Sequence, residues 1–216
     1  SDVYKRQPLH PGDARRVAQV WTRYRIQYLE QCSLCRCTPV DGTLPLLAHD
    51  RRYSRYLEKH ECDRLRTRPF TGPGHWADPD MLVVGMVGWG PKLHYTKLTA
   101  DEQYTHISLW ALLSAPLLIG CDLAQLDDFT ISLLTNDEVI DINQDPLGYQ
   151  AAPLWRDGNR QVIYMKPLED GSVAVGLFNR DEKPAEMKFT MRQLGMRDKK
   201  IVRDVWRQQD IATLDT

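Results

Sequence analysis

The chain has 216 residues, with 28 basic and 29 acidic side chains and a formal charge of −1. That balance argues against a nucleic-acid or membrane-surface protein. No run approaches the roughly 18 apolar residues of a membrane-spanning helix, and the N-terminus lacks the apolar core of a signal peptide.

The average hides a break. Residues 1–69 hold 12 of the 19 Arg, four of the five Cys and a charge of +6, whereas residues 70–216 carry −7. The first segment keeps no steady helical or strand period. Its most visible feature is Cys32-x-x-Cys35-x-Cys37 with His60 and Cys62 downstream. A zinc site in an Arg-rich, nucleic-acid-binding module would need a second close pair of ligands. The downstream half offers a single Cys, so no metal or cofactor is expected.

From Thr71 the text changes. Thr71-Gly-Pro-Gly-His-Trp-Ala-Asp-Pro-Asp-Met-Leu82 gathers turn-formers, an indole and two carboxylates, Asp78 and Asp80, into a dozen positions. Pro79 holds its own φ and biases Asp78 towards an extended conformation, so the two acids sit on a stiff segment. Met81-Leu-Val-Val84 then reads as a buried strand. An isolated Asp-Pro-Asp is most simply a turn with an Asx cap. Trp76 beside paired acids points further, to a sugar held by carboxylates and stacked on indole.

Gly85 to Leu98 reads as a Gly-rich loop with Trp89, either a sugar platform or a packing residue, and His94. Thr99-Ala-Asp-Glu102 is a capping box that starts a helix, and Ile107, Trp110, Ala111 and Ser114 give it one buried face. His106 on this helix reads as a packed or hydrogen-bonded residue. Pro116 closes the helix, and Pro116 to Asp122 reads as a second buried strand containing Cys121 as a buried lone thiol. Asp122 is read as structural. Asp127 or Asp128 can cap a short helix through Leu134, and Asn136 begins another that ends near Asn143. Asp145-Pro-Leu-Gly148 is the exit turn. Strand–helix alternation of this spacing marks βαβ units with a parallel strand arrangement. Beyond Ala151 the pattern turns to strands, Gln161 to Leu168 and Ser172 to Asn179 around a Glu169-Asp-Gly171 hairpin turn, then Ala185 to Met191 and Ile201 to Trp206.

Three stretches carry a resemblance, GPGHWADPDMLVVG, DEQYTHISLWALLSAPLLIGCDL (Asp101 to Leu123) and NDEVIDINQDPLG (Asn136 to Gly148). In this order they resemble glycoside hydrolase family 27, the α-galactosidases and α-N-acetylgalactosaminidases. Ala77 stands where the family's form, Trp-Asn-Asp-Pro-Asp-Met, has Asn. The resemblance implies an α/β fold, with residues 70–150 as C-terminal units of a (β/α)8 TIM barrel and residues 151–216 as an incomplete antiparallel β-sandwich domain. A whole barrel needs roughly 250 residues, so the chain is expected to be a fragment. By position, Asp80 and Met81 match residues lining the galactose pocket. Asp80 is read as an acceptor for a sugar hydroxyl, Asp78 as its structural partner, and Trp76 and Met81 as apolar walls. The implied partners are α-galactoside oligosaccharides or glycoconjugates. The sequence leaves galactose, N-acetylgalactosamine and β-L-arabinopyranose open as the sugar.

Residues 13–69 are explained best as an out-of-frame translation. Read one base later, Trp21 to Gln27 permits Gly-Arg-Asp-Ile-Val-Phe-Ser, which resembles a middle barrel strand of the family. The same shift from Leu47 to Tyr53 permits Trp-Arg-Thr-Thr-Gly-Asp-Ile, the motif carrying the family's acid/base aspartate. The opening residues 1–12 resemble a translated adapter end. The segment is then expected to pack poorly, because nothing has matched its pattern to a fold. The nucleophile belongs to an earlier strand by resemblance, so no numbered residue is a candidate catalytic acid and the chain is expected to be inactive. A non-catalytic galactose-binding remnant is the alternative.

Overall fold

The computed structural model describes residues 25–29, 43–46, 71–88, 92–158, 161–180, 185–197 and 199–214. The readings made for residues 1–12, for the Cys cluster and for Trp89 lie outside the described residues. Two strands come from the Arg-rich segment, β1 (Arg25–Leu29) and β2 (Thr43–Leu46). A two-residue ribbon follows, β3 (Met86–Val87) and β4 (His94–Tyr95). Three helices come next, α1 (Ala100–Leu112), α2 (Asp128–Leu134) and α3 (Asp137–Asn143). The remainder is strand: β5 (Ala152–Asp157), β6 (Gln161–Pro167), β7 (Val173–Asn179), β8 (Ala185–Lys188), β9 (Lys200–Asp204) and β10 (Gln209–Leu214).

Each helix starts where its side chains satisfy its first N–H groups. Thr99 and Glu102 make both halves of the capping box on α1. Asp127 accepts from Thr130 N at 2.7 Å to cap α2, and Asn136 accepts from Val139 N at 3.1 Å to cap α3. Asp122 caps a 3₁₀ turn over Leu123–Gln125, the structural role expected of it. After α1, Ser114 takes a left-handed φ of 49°, which turns the chain towards Pro116.

The two stretches read as buried strands are less regular than that. Leu82 and Ile119 form an isolated parallel bridge, with Leu82 N donating to Leu118 O at 2.7 Å and Gly120 N to Leu82 O at 3.0 Å. Leu82 and Val84 are buried, but Val83 is 37% exposed, and Leu118 and Ile119 are nearly half exposed. The physical reason is coverage. Helix α1 packs on one face of the pair, and among the described residues each segment has a strand neighbour on one side only. Cys121 bridges to Val87 and is likewise half-buried rather than buried, with that desolvation still pushing its thiol up.

The main sheet runs β10-β9-β1-β7-β6-β5. Residues alternate faces along a strand, and both faces are covered here. Val162, Tyr164, Ala174 and Phe178 join Trp110, Leu112 and Ile142 in one core, while Ile163, Val175 and Leu177 pack with Met187, Phe189 and Val202 in a second. Double coverage explains why every residue of β7 is buried. Strand β5 lies at the edge of the sheet, where Pro153 is tolerated and a bulge follows it. The pairings are antiparallel except at β1, which lies parallel between β7 and β9. The expectation of poor packing for residues 13–69 thus meets a paired strand at Arg25–Leu29. Ladder hydrogen bonds come from the backbone, so an extended segment can enter an open slot whatever its sequence.

Candidate functional site

The Thr71–Leu82 stretch is a chain of tight turns. Gly72 and His75 exchange backbone hydrogen bonds at 3.0 and 2.8 Å, with Gly74 at a φ of 83° between them. This turn presents Trp76 outward, 47% exposed. Its ring rests on Gly148 of the exit turn, whose φ is 61°. A Cβ built there would lie 2.7 Å from the indole.

Pro79 is buried, whereas Asp78 and Asp80 are exposed on either side of it. Asp78 Oδ1 accepts from Asp80 N at 2.8 Å, an Asx turn, and Asp80 Oδ1 accepts from the following Met81 N at 2.8 Å. Asp80 has a φ of 83°, a left-handed conformation uncommon outside glycine and better tolerated by Asp than by most residues. Each carboxylate keeps its other oxygen clear of these two bonds, so the turn can still accept from a ligand. Met81 packs against the Gly120 backbone of the neighbouring segment.

Of the four candidate residues, Asp78, Asp80 and Met81 share one turn through the Asp78–Asp80 and Asp80–Met81 bonds. Trp76, just before that turn, lines a cavity of about 780 Å³ with Leu82, Ile107, Leu117, Leu133 and Asp145. His106 is fully buried, as its reading required, and its Nε2 accepts from Val83 N at 3.1 Å. The bonds that Gln103 and Trp110 send to the same segment were not foreseen. Their i, i+3, i+7 spacing with His106 on a capped helix is the signal that could have found them. Beside the site, Tyr95 OH donates to Asp127 Oδ2 at 2.9 Å, tying β4 to the cap of α2. Hydrogen bonds from Thr130, then from Tyr95, hold the Asp127 carboxyl below the usual range. Among the described residues no cluster of His, Cys, Asp or Glu could hold a metal ion, and no helix is long and apolar enough to cross a membrane.

Residues 55–145 match the family model described as alpha galactosidase A, and residues 158–216 match the alpha galactosidase C-terminal beta sandwich domain. The chain belongs to the α-galactosidase family, glycoside hydrolase family 27. It is 41% identical over 147 residues to a probable α-galactosidase of Dictyostelium discoideum, a match covering 67% of this chain and 36% of that protein. It is 42% identical over 122 residues to α-galactosidase A of Cellvibrio japonicus, covering 56% of this chain and 28% of the other. Among solved structures it resembles a family 27 β-L-arabinopyranosidase from Geobacillus stearothermophilus, with a TM-score of 0.68 and 31% identity over 75% of this chain and 38% of that one. The chain thus spans about a third of the length of the curated relatives it matches. Its fold is that of (β/α)8 barrel units followed by the β-sandwich, as expected.

Proposed function

We propose that this chain carries the last barrel units and the sandwich of an α-galactosidase, an enzyme that releases terminal α-D-galactosyl residues with retention. The observation that supports this reading is the Asp78–Asp80 turn, poised on the Leu82 segment within the stretch matched by the α-galactosidase model. On this reading Asp80 accepts from a sugar hydroxyl and Asp78 shapes the turn through the Asp80 N–H. Met81 and Trp76 supply apolar walls, and the substrates are α-galactoside oligosaccharides or glycoconjugates.

Retention needs a nucleophile and an acid/base carboxyl about 5–5.5 Å apart, flanking the scissile bond. Asp78 and Asp80 lie two residues apart on one turn, and Asp78 is engaged by the Asp80 N–H. They cannot straddle a sugar ring, so neither is assigned as nucleophile or acid/base. The polypeptide itself is therefore proposed to be inactive. Hydrolysis of an aryl α-galactoside tests this; the expected result is no turnover above background, and robust turnover overturns it. The same assay with an aryl β-L-arabinopyranoside covers the activity named for the Geobacillus stearothermophilus structure, and with an aryl α-N-acetylgalactosaminide the third sugar that the sequence leaves open.

The frame reading is proposed alongside. Sequencing the source locus across codons 1 to 72 is expected to reveal a base gained or lost on each side of a misread stretch within residues 13–69, with the in-frame family match beginning at residue 55. A clean frame overturns it and favours the galactose-binding alternative.

A further inference from the structure

Helix α1 turns three buried polar side chains, Gln103, His106 and Trp110, towards one stretch of backbone. Gln103 Oε1 accepts from Gly85 N, His106 Nε2 accepts from Val83 N, and Trp110 Nε1 donates to Asp80 O, each at 3.1 Å. Thr96 Oγ1 donates to Val83 O at 2.8 Å, so both backbone groups of Val83 are met by side chains. The His106 and Trp110 rings pack 4.1 Å apart, centroid to centroid, which fixes the pair as a unit. A strand neighbour would accept many side chains here; this arrangement depends on three particular ones.

The bond to Asp80 matters most, because Asp80 is the residue held at a φ of 83°. A left-handed, non-glycine residue persists only where its surroundings over-determine it. Trp110 pins the Asp80 carbonyl from the helix side, while Asp78 pins the Asp80 N–H from the other. If the Asp80–Met81 peptide rotated, the carbonyl would leave the indole and the carboxylate would leave Met81 N. We propose that Trp110, with His106 and Gln103, is a positioning residue that holds the Asp80 carboxylate in its sugar-accepting direction. This rests on the sugar-binding reading of Asp80.

The test is titration of the full chain with D-galactose, followed by ¹H–¹⁵N NMR, with D-glucose as the epimeric control. The unsubstituted chain is expected to bind galactose saturably, and Trp110→Phe, which deletes the donor and keeps most of the ring volume, to weaken binding about tenfold. In an Asp80→Asn background, where the carboxylate is already gone, Trp110→Phe is expected to change binding less than twofold. That coupling distinguishes a residue acting through Asp80 from one that only supports the fold. His106→Gln, which keeps an acceptor for Val83 N, is expected to bind as the parent does, and His106→Leu to bind weakly; this pair decides the matter if Trp110→Phe does not fold. Equal losses in both backgrounds, or parental affinity in Trp110→Phe and His106→Leu, overturn the positioning role alone. Absence of saturable galactose binding by the unsubstituted chain overturns the sugar-binding reading, and the proposal with it.

Discussion

Lys166, in the middle of β6, donates through Nζ to Ser114 Oγ at 2.7 Å, just beyond the C-terminus of α1. The same ammonium donates to Ala111 O at 3.3 Å and to Ile142 O. Neither α1 nor α3 carries a basic residue in its last turn, although a cation there is favourable. The sandwich supplies it for both. Lys166 is wholly buried, so its three N–H groups have three protein acceptors in place of water.

Removing this clamp should loosen the junction. Lys166→Met takes the ammonium from the Ile142 carbonyl, and a buried group so orphaned costs about 1–3 kcal/mol, while the Ala111 carbonyl keeps Ser114 N as a donor. Urea denaturation is the measurement, and an unchanged midpoint would count against the clamp.

Burial lowers the Lys166 pKa to about 8, with the Asp145 charge opposing part of the shift. Between about pH 8 and the unfolded value of 10.5, the unfolded chain holds a proton that the folded chain has released. Stability from this group therefore rises with pH across that window, by about 3 kcal/mol at most. It stays level below pH 8. Subtracting the profile of Lys166→Met should isolate the rise; parallel profiles would refute it.

Arg203 of β9 makes a two-pronged bond to Glu138 of α3, at 2.7 and 2.5 Å, and a third bond to Asp210 of β10 at 3.0 Å. The guanidinium fork matches a carboxylate in a way that an ammonium cannot. Arg203→Lys is expected to lose about 1 kcal/mol despite keeping its charge, and most of that loss should persist in 0.5 M salt. A variant as stable as the parent by thermal denaturation would show the fork to be idle.

Gly148→Ala should disturb Trp76. The left-handed φ alone costs about 1–2 kcal/mol for a residue with a Cβ, and the new methyl would meet the indole at 2.7 Å. The expected outcome is lower stability with an altered Trp emission spectrum. An unaltered spectrum would mean that the ring is not held there.

Asp127 caps α2 and accepts from Tyr95. Asp127→Ala should cost about 1 kcal/mol, as other lost N-caps do, and Asp127→Asn should keep most of the cap. Because its folded pKa is lowered from 3.8, the carboxylate's contribution is present above that value and fades as pH falls below it. Acid denaturation of the parent, but not of Asp127→Asn, should carry this component.

Asn136 divides what was legible from what was not. Its Oδ1 caps α3 three residues away, as pattern alone suggested, while its Nδ2 donates to Val205 O at 3.1 Å. Trp206 likewise donates to Ser108 Oγ at 3.0 Å and packs its ring 4.8 Å from Tyr104. These contacts seat the sandwich on the barrel helices, and no window of adjacent residues contains them. In the site the same division holds. The Asp78–Asp80 turn is local and could be read directly; the helix that holds it could be read, but not the bonds it sends to the turn.

By itself, then, the sequence determined the capping of all three helices, the exit turn, the β6–β7 hairpin and the family, because these depend on groups a few residues apart or on words in a fixed order. Tertiary structure alone decided that Lys166 would close two helices, that His106 would serve the Val83 backbone, and that β1 would enter the sheet. Those outcomes depend on buried donors and acceptors, distant in sequence, that have to find one another once water is gone.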